Sequence, residues 1–229
     1  MKVNDFVFDF ETFDSIAGSA VVDLSVITFN PDPNVIETFD ELVSRGIKIK
    51  FNLASQKGVR SFSTGTIEWW KKQSPEAREG LKPSPEDVST YEGIKTFLAH
   101  LKSNHVIPYD SFGYCRGQSF DFPIMVDLIR DMYQKDTGCE DKDIDTFALE
   151  PVKFWNQRDI RTAIENRLMV RGMTMTPLKK GLLSGFIKHN SIHDCAKDIL
   201  MLKYAERYAL GLEEAPTGSE IDPLSLMDK

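Results

Sequence analysis

At 229 residues the chain has room for one large domain or two small ones around a real hydrophobic core. Its net charge of −7 argues against a module that grips nucleic acid mainly by neutralising phosphates, and leaves room for an enzyme whose positive charge arrives as bound metal ions. No apolar run approaches the ~20 residues of a membrane span, no secretory signal pattern opens the chain, and the three cysteines are scattered with no CxxC pair, so a reducing, cytoplasmic setting is expected.

The first predicted element is a strand at Phe6–Thr12. Phe6, Phe8 and Phe10 share one face, and Val7, Asp9 and Glu11 share the other. Three aromatics promise burial, while two carboxylates crowded on the opposite face ask for a neutralising cation. Val21–Phe29 is a second strand, and Val35–Leu42 and Ile47–Phe51 are expected to complete an antiparallel meander, with the Asn30–Asn34 cluster as a turn. Helical territory follows. Thr66–Lys72 carries Trp69 and Trp70, while Ser74-Pro75-Glu76 and Ser84-Pro85-Glu86-Asp87 each read as a helix start. The second of these is expected to launch a helix with Val88, Tyr91, Ile94, Phe97 and Leu101 inward. Phe112–Cys115 is a short strand before a helix from about Ser119, and Pro151–Asn156 is a strand before a helix capped by Asp159 or Thr162. The acidic loop Gly138–Asp145 lacks the ligand spacing of a calcium loop and reads as solvated surface. A last helix is expected over Asp194–Tyr208, and beyond Gly211 the polar tail, residues 211–229, reads as loose. A meander followed by alternating strands and helices predicts a single α/β domain over residues 1–210, its mixed central sheet flanked by α-helices.

Three further ionisable residues sit where a metal site at Asp9 and Glu11 would want them. Asp121 falls in the first turn of a helix that directly follows a strand, where negative charge is favoured. His193 and Asp198 would diverge by about 140° on one helix, so they converge only if His193 precedes the helix, Asp194 caps it and Asp198 lies one turn inside. Each alone has a plain reading: a solvated strand face, a helix-start carboxylate, a loop histidine.

Together, Asp9-Phe10-Glu11, Phe120-Asp121 and His193…Asp198 resemble the three motifs of the DEDDh 3′–5′ exonucleases of the ribonuclease H-like superfamily. Ile67-Glu68-Trp69-Trp70 and Arg158–Thr162 look most like that family's phage exodeoxyribonuclease A group, and the resemblance spans residues 6 to about 210. It implies a ribonuclease H-like fold and two Mg²⁺ ions, for which Mn²⁺ may substitute, held by Asp9, Glu11, Asp121 and Asp198. It also implies His193 as general base and a single-stranded 3′ end as substrate, DNA before RNA. Thr12 is placed to meet the terminal nucleotide, and Phe13, Trp69, Trp70 and Phe120 are candidate stacking platforms, with Phe13 and Trp70 taken forward. Arg116, Arg158 and Arg161 are candidates for phosphate contact or for pairing with acids. The alternatives are an RNA-trimming enzyme and, of another class, a non-catalytic module that binds nucleic acid or a polymerase.

Overall fold

A computed structural model describes residues 3–227. The strand Asp5–Thr12 (β1) lies at the centre of a five-stranded mixed sheet. It pairs antiparallel with Val21–Phe29 (β2), which pairs antiparallel with Ile47–Lys50 (β3). On its other side β1 runs parallel to Gly113–Cys115 (β4), and β4 parallel to Gln157–Asp159 (β5). The strand order is therefore β3-β2-β1-β4-β5, the meander plus two parallel additions.

The alternation of β1 decides the layers. Phe6, Phe8 and Phe10 face a core built with two helices, Thr90–Ser103 (α4) and Gln118–Thr137 (α5). Phe8 meets Phe122 of α5 edge-on, with ring centroids 4.9 Å apart. Val7 faces the second core, formed by Phe39–Arg45 (α1), Ile160–Leu168 (α6) and Ser191–Ala209 (α7). Cross-strand partners share a face, so Asp9 with Ser25 and Glu11 with Asp23 look toward α7. Two short helices, Thr64–Trp70 (α2) and Pro75–Glu79 (α3), cover the meander's end.

Several expectations shift. Val35–Leu42 is no strand: Thr38 and Glu41 form a reciprocal capping box and start α1. Satisfying two orphan amides there outweighs the β-branched residues ahead of it. Ser84–Asp87 is a turn, with Asp87 accepting from the Ser84 N–H at 2.9 Å. The capping box at Ser89 and Glu92 opens α4 instead. The strand expected at Pro151–Asn156 comes later, as β5, after a single 3₁₀ turn at Phe154–Asn156. The C-terminal tail is tied down through residue 227: the Asp222 N–H donates to Leu178 O at 2.8 Å, Lys180 N to Glu220 O at 3.0 Å, and Lys197 Nζ to Met227 O at 2.7 Å. Its polarity misled, because its ordering comes from backbone hydrogen bonds that composition does not reveal.

Candidate active site

The C-terminal end of β1 gathers the chemistry. Between Glu11 and Thr12 the pairing with β2 slips by one residue, an irregularity of the kind that re-aims side chains beside sites. Asp9 is 7% exposed on the face toward α7. From the other side Asp121, in the first turn of α5, accepts a hydrogen bond from Phe10 N at 3.1 Å, so its carboxylate lies against the strand between Asp9 and Glu11. The left-handed Gly117 (φ 120°) makes the sharp turn from β4 into α5 that brings Asp121 there.

Helix α7 supplies the fourth carboxylate. Its first turn is locked onto β2: Ser191 Oγ bonds Ser25 Oγ at 2.7 Å and also Asp23, and Cys195 Sγ lies 3.7 Å from Ser25 O. That docking places Asp194, 1% exposed, over β1. Just before the helix, His189 adopts a left-handed backbone (φ 59°), uncommon for a non-glycine residue and worth noting beside a site. One ligand atom each from Glu11, His189 and Asp194 lie within 4.8 Å of one another, the one such group among the described residues. The carboxylate oxygens of this group, with no cysteine among them, fit a hard divalent cation such as Mg²⁺ or Mn²⁺, and the His189 imidazole lies beside them.

The structure does not bring His193 and Asp198 into this group. His193 lies inside α7 rather than ahead of it, its ring edge-on to Phe39 at 5.3 Å, and its Nδ1 accepts from Ile187 N at 3.0 Å. Burial, helped by Lys48, lowers its pKa below the usual histidine value. It is a packing residue. Asp198, one turn beyond Asp194, accepts from Arg116 Nε at 3.0 Å and Nη2 at 2.6 Å, in an ion pair with both side chains almost fully buried. The pair suggested by sequence gives way to His189 and Asp194, which have the same spacing four residues upstream.

A cleft of about 390 Å³ opens over the carboxylates, lined among others by Glu11, Thr12, Trp69, Trp70 and Phe120. Thr12 lines this cleft, and its hydroxyl donates to Asp14 O at 2.7 Å. Trp70 is buried and donates from Nε1 to Thr12 O at 2.9 Å, so it holds the cleft wall more than it meets a ligand. Phe13 stacks on Phe62, with centroids 5.6 Å apart, and is not among the residues lining the cleft. Trp69 is the exposed ring, at 41%, and its neighbour is the His189 imidazole, 4.8 Å away and edge-on.

A family model described as the 3′-5′ exoribonuclease Rv2179c-like domain matches residues 4–205. The exodeoxyribonuclease of Enterobacteria phage T4 is 63% identical over 225 residues, covering 98% of this chain and 99% of that relative. The chain belongs to this exonuclease family. Solved structures of exonuclease I, one from E. coli in complex with a dA16 oligonucleotide and one bound to product, resemble it with TM-scores of 0.53 and 0.51 at 12% identity. They cover 92% and 93% of this chain but only 42% and 46% of their own, so the chain spans less than half of those proteins. At that identity the likeness concerns the fold, which is ribonuclease H-like, as the motifs implied. The family chain is thus an exonuclease. Asp159, one of the two expected caps, caps α6 through Thr162 N (2.9 Å) and also accepts from Gly117 N (3.0 Å). His189 and Asp194 were missed, although a signal existed: two overlapping His-x₄-Asp runs, of which only the second was read.

Proposed function

We propose that this exonuclease removes 5′-mononucleotides from the 3′ end of single-stranded DNA, in the cytoplasm of an infected host, with two divalent cations held by Asp9, Glu11, Asp121 and Asp194. The observation that carries this is the convergence of Glu11, His189 and Asp194 beneath an aromatic-lined cleft. The cations, Mg²⁺ or Mn²⁺, would supply an activated water and stabilise charge on the scissile phosphate.

The chain's own residues do the rest. His189 takes the proton of the attacking water on a ring nitrogen, acting as the general base. Its left-handed backbone and the edge of Trp69 fix the imidazole's direction. Trp69 and Phe120 flank the terminal base, and the Thr12 segment, braced by Trp70, meets the terminal sugar. The near-complete match to a phage exodeoxyribonuclease favours DNA, while the family description names an exoribonuclease and keeps RNA as the second reading.

One incubation tests both. End-labelled single-stranded DNA, duplex DNA and RNA are each treated with Mg²⁺ and with EDTA. Mg²⁺-dependent shortening of single-stranded DNA from its 3′ end is expected, faster than that of RNA. Binding without hydrolysis in Mg²⁺ would refute the catalytic reading, and faster loss of RNA would change the substrate.

A further inference from the structure

We propose that a groove along β5 holds the strand leading away from the cleaved 3′ end, its bases stacking on Phe154 and Trp155. This rests on the nuclease reading above. Phe154 is 65% and Trp155 47% exposed, their ring centroids 4.8 Å apart and nearly perpendicular. Trp155 also meets the exposed rings of Tyr109 and Phe147, each at 6.2 Å. Four neighbouring rings left in water are unusual for a surface without a ligand. Buried Lys153 sits 3.9 Å from the Phe147 ring centre, and Arg158 Nη1 donates to Trp155 O at 2.6 Å, so the cluster is held from behind by cations. Such a surface suits a planar base with a polar edge and a neighbouring phosphate.

Phe154 of the cluster lines a groove whose far end lies one residue from the catalytic cleft. The groove, of about 780 Å³, runs beside Phe154, Gln157, Pro123 and Arg161 up to Gly117, Gln118 and Ser119. The next residue, Phe120, lines the cleft above the carboxylates. A Cβ placed on Gly117 would stand 3.8 Å from Phe120 Cβ and 3.9 Å from Arg161 Nη1, so the guanidinium lies on the ridge between the two depressions, where a phosphate would cross. Two acids also line the groove, but both are engaged: Asp159 with backbone N–H groups and Glu150 with the Thr146 hydroxyl at 2.7 Å.

The test separates length from chemistry. Fluorescence anisotropy in EDTA, with 5′-labelled oligothymidylates of graded length, reads binding without cleavage. Wild-type affinity should rise from a trimer to a dodecamer. The Phe154→Ala/Trp155→Ala double variant should bind the dodecamer roughly 10-fold or more weakly and the trimer as before. Both side chains are exposed, and an unchanged thermal midpoint checks the fold. A length increment that survives the substitutions overturns the groove, as does equal loss at both lengths. If the wild type binds with this pattern yet hydrolyses nothing in Mg²⁺, the nuclease reading fails and the groove stands.

Discussion

Two histidines four residues apart, His189 and His193, have opposite surroundings, and their substitution should separate them. His189 stands beside Glu11 and Asp194, whereas His193 is held between Phe39 and Phe186. His189→Ala should lower single-turnover cleavage by ~10²–10⁴-fold, the usual contribution of a general base, and His193→Ala should leave it within a few-fold. The reverse pattern would return the base to position 193. Asp194→Ala should abolish cleavage while the chain stays folded, since it takes one carboxylate from a crowded group. Arg116 differs. Removing the guanidinium in Arg116→Ala strips the buried Asp198 carboxylate of its ion-pair partner, which should cost ~3–5 kcal/mol in urea unfolding. The same titration on Arg116→Met/Asp198→Leu should recover most of that loss, because an apolar pair of similar volume carries no buried charge.

At the scale of elements, strand period and most helix starts were readable, and α1, α4 and α7 were the exceptions. The alternation of Phe6–Glu11 sorted the two faces of β1 correctly, and α2, α3, α5 and α6 begin within about two residues of their sequence signals. The site's logic was legible too: a histidine ahead of a helix and an aspartate in its first turn. The frame was not, because α7 starts at Ser191 under Asn190, whose side chain makes no capping bond and accepts instead from Lys48 Nζ at 3.1 Å. Tertiary docking of Ser191 onto Ser25 and Asp23 sets it. Glycine packing was equally hidden. Gly93 in α4 should gain ~1 kcal/mol of helix propensity as alanine. However, a Cβ there would stand 2.3 Å from Phe51 Cε1 and 3.1 Å from Ile49 Cγ2, both buried. Overpacking costs ~1–3 kcal/mol, so Gly93→Ala should lower the thermal midpoint; an increase would mean that α4 can shift outward.

Across the whole molecule, charge is handled differently at the two ends of β1. At the C-terminal end, the carboxylates of Glu11 and Asp194 lie together beside His189. At the N-terminal end Asp5, 4% exposed, borders a cavity of about 250 Å³ with Tyr114, Arg167, Lys203 and Glu206. Burial raises the Asp5 pKa to about 6, against the pull of its Phe112 N–H bond, Arg167 and Lys203. Burial likewise lowers Lys203 to about 8. The signs follow from linkage. Between about 4 and 6 the folded state holds the Asp5 proton more tightly than the unfolded chain, so this group's contribution falls as pH rises through that window. For Lys203 the unfolded chain binds the proton more tightly, so its contribution recovers only above about 8. Both groups thus disfavour the fold most between about pH 6 and 8. Asp5→Asn keeps a carbonyl oxygen for Phe112 N and removes the buried charge. It should raise stability at pH 7 by up to ~3 kcal/mol, the free energy of a shift of about two units, and change little at pH 4. Urea titrations at those two pH values decide it: an equal effect at both would mean that the cavity admits enough water to solvate the carboxylate.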